Sequence, residues 1–173
     1  MRSNQVHFEM AQLDDADEIT TLINNAYRGE GGWTDERAWV DGPRLSVAQV
    51  RSQIKDRQGV VYVHRRNDII VATIHASIAA NEAYITSLAV HPYVQQQGVG
   101  DAALKKLEQD CRNLFGVTLA SISILFPRED VLQYLIRRGY EPMDYVEPFP
   151  EHMKMGQPKD AALQLAYLVK PLH

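Results

Sequence analysis

The stretch Leu88-Ala-Val-His-Pro-Tyr-Val-Gln-Gln-Gln-Gly-Val-Gly-Asp-Ala-Ala-Leu104 decides the fold. A short apolar run breaks at Pro92, passes through a turn holding Gly98 and Gly100, and leads into an amphipathic segment. From Gly98 onward Val99, Ala103, Leu107 and Cys111 recur at helical spacing, while Asp101, Lys105, Glu108 and Arg112 face the other way. That spacing predicts a helix from Gly98 to about Leu114, with the glycines at its N-terminus. The first turn of a helix carries N–H groups without intrahelical acceptors and a partial positive charge, and glycine lets an anion approach the backbone. The reading is strand, phosphate-cradling loop, helix; a Gly-x-Gly pair before a helix also serves turn formation or packing alone.

Gln95-Gln96-Gln97-Gly98-Val99-Gly100 reads as Arg/Gln-x-x-Gly-x-Gly/Ala, preceded by a strand ending Leu-x-Val-x-Pro. Together these elements resemble the GNAT superfamily of acyl-CoA-dependent N-acyltransferases. The resemblance implies that acetyl-CoA or coenzyme A is the cofactor. Its pyrophosphate would sit on the loop Gln95, Gln96, Gln97, Gly98, Val99, Gly100 and Asp101, and its pantetheine arm would pair with the backbone of Leu88, Ala89 and Val90. Backbone amides there would act as an oxyanion hole. Gln95 and Gln97 stand where many members carry arginine or lysine, which leaves the backbone N–H groups to supply most of the binding, with Lys105 or Lys106 as distal contacts.

Composition bounds the rest. The 173 residues suffice for one core and suggest a single domain over 1–173. With 45% hydrophobic and 23% charged residues the chain reads as an ordinary globular protein. It has no apolar stretch of the ~18 residues that a bilayer span needs. Met1 to Glu9 lack the apolar core of a secretory signal, and the lone Cys111 cannot form an internal disulfide, so a cytoplasmic location is expected. Cys111, on the apolar helix face, reads as a buried thiol. The six histidines show no metal-ligand pairing, and the expectation is no metal. A net charge of −4 without a basic cluster argues against nucleic acid.

Val6 to Met10 reads as a first strand, and Asp14 as the N-cap of a helix carrying Ile19, Leu22, Ile23, Ala26 and Tyr27. Gly29 to Arg44 reads as an ordered loop with Trp33 and Trp39, and Ser46 as the cap of a second helix. Two β-branched strands, from Val60 and Ile69, form a hairpin around Arg66-Asn-Asp. In the next strand, Ala83 to Val90, the apolar parity changes between Ile85 and Leu88, which suits one inserted residue. After the Gly98 helix come a strand at Thr118–Leu125, a helix from Glu129 stopped by Gly139, and strands near Tyr140–Val146 and Ala162–Val169. The order β-α-α-β-β-β-α-β-α-β-β is what the resemblance implies. The fold class is α/β (α+β), a mixed, mainly antiparallel sheet of about seven strands flanked by about four helices and splayed at the cofactor site.

A second segment, Arg128-Glu-Asp-Val-Leu-Gln-Tyr134-Leu135-Ile-Arg-Arg-Gly139-Tyr140, resembles the family pattern Asn-x-x-Ala-x-x-Leu/Phe-Tyr-x-x-x-Gly-Phe. Aligned on Gly139, Arg128 takes the asparagine position beside the cofactor. Leu135 falls where many members place the tyrosine that protonates the leaving thiolate, and Tyr134 precedes it. Since one residue turns a helix by about 100°, Tyr134 is either that acid on a shifted helix or a packing residue. An amine near neutral pH is protonated and needs a base or a proton relay, for which Glu82 at the start of the central strand and Tyr84 are the candidates, with His75 as alternative.

The elements Ala26-Tyr-Arg-Gly, Gly-Trp-Thr, Asp-Gly-x-Arg, Arg-Arg-Gly-Tyr-Glu-Pro and Pro148-Phe-Pro150 resemble a bacterial GNAT subgroup. The resemblance implies acceptor entry between Gly29–Arg44 and Glu147–Lys159, where Glu30, Trp33, Asp35, Glu36 and Phe149 would line the way. Carboxylates with an aromatic wall suit a cationic small molecule, although the tryptophans also serve as anchors for the loop. The implied activity is acetyl transfer from acetyl-CoA to a primary amine of a small molecule by direct attack. The alternatives are a non-catalytic acyl-CoA-binding regulatory module and a protein or peptide N-acetyltransferase, as monomer or homodimer.

Overall fold

A computed structural model describes residues 5–29 and 35–173. The strands are β1 (Glu9–Met10), β2 (Val40–Asp41), β3 (Gly59–Arg66), β4 (Ile69–Ala79), β5 (Glu82–Val90), β6 (Leu119–Leu125), β7 (Glu141–Pro148), β8 (Gln157–Pro158) and β9 (Gln164–Pro171). The helices are α1 (Ala16–Arg28), α2 (Val47–Lys55), α3 (Val99–Phe115) and α4 (Glu129–Ile136). Seven strands form one sheet in the order β1-β3-β4-β5-β6-β9-β7, and β2 pairs with β8 in a separate ribbon. Every pairing is antiparallel except β5 with β6. The expected class therefore holds.

Local chemistry explains the elements. Ser46 accepts from the Gln49 N–H at 3.2 Å while the Gln49 side chain accepts from the Ser46 N–H at 2.8 Å, a capping box that starts α2. The hairpin between β3 and β4 turns on Asn67 and Asp68, with φ of 51° and 64°, the left-handed pair that such a turn needs. Two expectations change at the N-terminal end. The first strand is only Glu9–Met10, and Asp14 sits inside a 3₁₀ turn, Leu13–Asp15, rather than capping the helix. There the Asp15 carboxylate accepts from the Gln12 N–H at 2.8 Å. The short strands β2 and β8 have no counterpart in the sequence reading, because two residues carry no periodicity.

Helices cover both faces of the sheet. On one, Val99, Ala103, Leu107 and Cys111 of α3 pack with Ile74, Ile85 and Leu168; on the other, Ile19 and Ile23 of α1 pack with Val50 of α2 and Val61, Val63 and Ile70. Each such aliphatic side chain contributes ~1.5–3 kcal/mol by leaving water. Among the described residues no helix is long and apolar enough to cross a membrane.

Two irregularities in β5 position the site. Opposite Thr73 and His75 of β4 stand Ala89 and Thr86, so β5 carries one extra residue there, and Ser87 has a φ of 56°. This is the bulge that the parity change between Ile85 and Leu88 predicts. On its other edge β5 pairs with β6 from Glu82–Leu119 to Ile85–Ile122 only. Beyond that point the two strands run on, to Val90 and Leu125, with unpaired facing edges. The sheet is splayed at its centre.

Candidate active site

The splay opens into two compartments that meet at Tyr134. The outer one lies at the N-terminus of α3. Gly98 precedes the helix with φ 76°, and no atom lies within 4 Å of where its Cβ would stand, so backbone conformation rather than crowding calls for glycine. At Gly100 a Cβ would approach the Tyr134 hydroxyl to 3.0 Å. Val90, Gln95, Gln96, Gly98, Val99, Gly100 and Asp101 line this compartment, as expected of the cofactor loop. Gln97 turns away: its amide donates to the Tyr93 carbonyl at 3.2 Å and accepts from Arg66 at 2.7 Å. Gln95 donates back to the Val90 carbonyl at 3.3 Å.

Sequence reasoning missed the cation here. Arg138 lines the compartment, lies 3.4 Å over the Tyr134 ring and donates through Nε to Asp101 Oδ1 at 2.5 Å. It sits four residues after Tyr134, in the turn just past α4, and its Nη1 also holds the Tyr134 carbonyl at 2.8 Å, so the i, i+4 spacing was the available signal. Lys106, by contrast, pairs with Asp110 at 2.9 Å, and neither it nor Lys105 reaches the loop compartment.

Tyr134, and not Leu135, faces the two compartments. Its hydroxyl donates to Asp101 Oδ1 at 2.8 Å, and the ring lines both compartments, whereas Leu135 is only 2% exposed and belongs to the core. Burial, then the hydrogen bond to Asp101, pushes the Tyr134 phenol well above its ordinary range, with the Arg138 charge opposing. The group is therefore protonated at neutral pH.

The inner compartment lies between the diverging strands, under the segment after α1 and the segment after β7. Tyr84, Ser87 and Leu88 of β5 form one wall. The Ser87 hydroxyl is buried without a partner, and the Leu88 carbonyl accepts from the Tyr27 hydroxyl at 2.9 Å. Ala89 is fully buried in the core beneath α1. Glu82 stands at the closed end of the β5–β6 pair, where its carboxylate accepts from Tyr167, and it does not line the cavity. His75 is 7% exposed behind the wall, with Nδ1 2.7 Å from Thr86 Oγ1. Burial drives its pKa down to about 4.

Arg128 occupies the inner compartment rather than the loop. It is 7% exposed, grips Asp130 through Nε and Nη2 at 3.1 and 3.0 Å, and donates to the Asp35 carbonyl at 2.7 Å. The acceptor residues are only partly as expected. Phe149 lines the cavity and packs near Val40 and Leu163 together with Trp39, which anchors its loop. Glu30 and Trp33 lie outside the described residues. Asp35 and Glu36 correct the expectation of free carboxylates. Asp35 is gripped by Arg37 at 2.9 Å, and the buried Glu36 accepts from Arg28 at 3.0 Å and Arg44 at 3.4 Å. With their charge already answered by arginine, these carboxylates do not make a cation site.

Among solved structures, ribosomal-protein-S18-alanine N-acetyltransferase from Escherichia coli superposes with a TM-score of 0.70 at 14% identity, covering 97% of this chain and 94% of its own. The Salmonella typhimurium acetyltransferase YncA with its cofactor acetyl-CoA gives 0.72 at 16% identity, over 98% and 95%. PaiA N-acetyltransferase from Thermoplasma acidophilum in complex with coenzyme A gives 0.68 at 12% identity, over 96% and 99%. No curated protein sequence matches significantly. The sequence itself matches the acetyltransferase (GNAT) family over residues 16–140, from the first residue of α1 to the residue after Gly139. That span holds the splayed strand pair, the glycine loop and Tyr134, and the chain belongs to the GNAT acetyltransferase family.

Proposed function

We propose that the protein transfers an acetyl group from acetyl-CoA to the primary amine of a small molecule, as a cytoplasmic enzyme. One observation carries this reading: a helix N-terminus built for an anion and a second cavity built for another molecule meet at one protonated tyrosine.

The residues fit the cofactor. Backbone N–H groups at the start of α3 border the loop compartment, Gly98 and Gly100 keep it free of Cβ atoms, and Arg138, paired with Asp101, puts a guanidinium on its wall. The β5 edge beyond Ile85, left unpaired by β6, offers Val90 and its neighbours to an extended arm as an added strand would use them. When bound, acetyl-CoA supplies the activated acyl group. Tyr134 holds a proton at its hydroxyl for the departing sulfur. Tyr84, on the inner wall, is the candidate to take up the proton of the amine, and Glu82, two residues earlier on the same face of β5 and hydrogen-bonded to Tyr167, stands outside the cavity.

Calorimetric titration with acetyl-CoA and with coenzyme A, followed by thiol release against a panel of amines, tests the reading. Binding with release establishes the transferase. Binding without release from any amine favours a regulatory module, and absence of binding overturns the cofactor assignment.

A further inference from the structure

The inner cavity carries a surplus of positive charge, and the surplus is localised. Arg28, Arg44, Arg128 and Glu36 line it, and Glu36 is the one carboxylate among the described lining residues. Arg128 is answered by Asp130. Arg28 spends its Nη donors on the Gly42 carbonyl at 2.9 Å, the Met155 carbonyl at 2.9 and 3.0 Å, and Glu36 at 3.0 Å. Arg44 differs from both. Its guanidinium makes a single hydrogen bond, the long one from Nη1 to Glu36 at 3.4 Å, to the oxygen that Arg28 already uses. Its guanidinium lies 3.9 Å over the Tyr27 ring and its side chain is 13% exposed; its Nε, like that of Arg28, is buried without an acceptor, but on Arg28 the neighbouring Nη2 is already taken by Glu36 and Met155.

The free edge of Arg44 is the one that matters chemically. In the same region Arg128 grips Asp130 through Nε and Nη2, at 3.1 and 3.0 Å, and Arg37 grips Asp35 through Nε to Oδ1 and Nη2 to Oδ2, at 3.1 and 2.9 Å. That side-on fork matches the two oxygens of a carboxylate. On Arg44 the same fork has no acceptor, in a cavity whose other walls include Leu125, Phe149, Met153 and Leu165. A buried guanidinium facing a shared carboxylate is expensive to keep unless an arriving anion completes it.

We propose that the acceptor amine also carries a carboxylate, seated on the Nε and Nη2 edge of Arg44, with its apolar body against Phe149 and Leu125. This deepens the acetyltransferase reading and rests on it. The substrate class is an amino carboxylate, with the amine and the carboxylate either on one amino acid or at the two ends of a short peptide.

The test compares the common amino acids with their amides and their decarboxylated amines, and a set of dipeptides with their amides, in the wild-type enzyme and in Arg44→Gln and Arg44→Lys. Thiol release gives kcat/KM, and calorimetry gives binding of each acceptor independently of turnover. At least one carboxylate acceptor is expected to exceed its amide by about tenfold or more, through KM. Whether that acceptor is an amino acid or a dipeptide fixes the spacing between the two groups. In both variants the ratio should fall towards one, because lysine restores the charge but not the fork, while retained coenzyme A affinity reports a folded protein. No carboxylate outperforming its amide by either measure, or a preference that survives both substitutions, overturns the proposal. Failure to bind coenzyme A, with the carboxylate preference still seen in calorimetry, would instead sink the acetyltransferase reading alone.

Discussion

The two compartments either side of Tyr134 are built on opposite plans. The outer one is made by consecutive residues, Gln95 to Asp101, and its chemistry belongs to the backbone: a helix N-terminus, two glycines and side chains mostly turned to other tasks. The inner one is made by residues far apart in the chain, Arg28 at the end of α1, Glu36 after it, Tyr84 on β5, Arg128 before α4 and Phe149 after β7, and its chemistry belongs to side-chain charge. A site of the first kind changes little when its side chains change, provided the loop keeps its shape. A site of the second kind depends on a balance of buried ions, which a single substitution upsets.

The largest expected effect probes that balance. Glu36 is 10% exposed and answers two guanidinium groups, so Glu36→Gln leaves Arg28 and Arg44 buried without a counter-charge. Breaking a buried pair by removing one partner costs about 3–5 kcal/mol, which for a domain of this size lowers the melting temperature by roughly 10 °C or more. Thermal denaturation measures it, and a shift of only a degree or two would mean that the inner site is not held by charge. On the outer side Gly100→Glu should do the reverse, leaving the melting temperature within a few degrees while weakening coenzyme A binding by about 100-fold or more in calorimetry. The added side chain meets the Tyr134 hydroxyl and brings negative charge to the helix N-terminus.

The same contrast explains what was legible in the sequence. The outer loop could be read because one period of 3.6 residues from Val99 to Cys111 fixes the helix, and the helix fixes where its N–H groups point. The bulge at Ser87 was legible for a similar reason, since an extra residue in a strand reverses the parity of everything beyond it. The arginines of the inner cavity were not. Arg28 reads as the polar last turn of α1, and Arg44 as a loop residue; only the tertiary fold brings them to Glu36. The acidic residues of the loop were visible as charges, but the arginines that Asp35 and Glu36 meet in the fold were not. The place of Glu82 was hidden for a different reason: strand register with β6 puts it at the closed end of the splay, a fact of pairing that one strand's sequence does not contain.

Tyr134 belongs to both compartments and separates binding from turnover. Tyr134→Phe removes the hydroxyl but leaves the Asp101–Arg138 pair at 2.5 Å in place. A general acid contributes on the order of 10²–10⁴-fold, and a thiolate leaves with less help than an alkoxide, so kcat should fall by about 10- to 100-fold while coenzyme A affinity changes less than about threefold. An unchanged kcat would return Tyr134 to a packing role and leave the outer site a binding loop only.

The smallest effect asks whether the wall between the strands behaves as core or as site. His75 stands behind Thr86, which lines the inner cavity, and burial holds its imidazole down to about 4 from an ordinary 6.5, against the charge of Asp56. Between those values the unfolded chain binds a proton that the folded chain refuses. Stability contributed by His75 is therefore complete above about pH 6.5 and is lost as the pH falls towards 4, with a limiting slope of about 1.4 kcal/mol per pH unit. Asp15, Asp35 and Asp130, all held below 3.8 in the fold, lose their contributions only at more acid pH. Urea unfolding followed from about pH 7 to about pH 4.5 measures the slope. His75→Gln keeps a hydrogen-bonding group for Thr86 but does not titrate in this window, so it should flatten the curve. An equal slope in the variant would place the acid sensitivity elsewhere in the chain and leave the strand wall electrostatically silent.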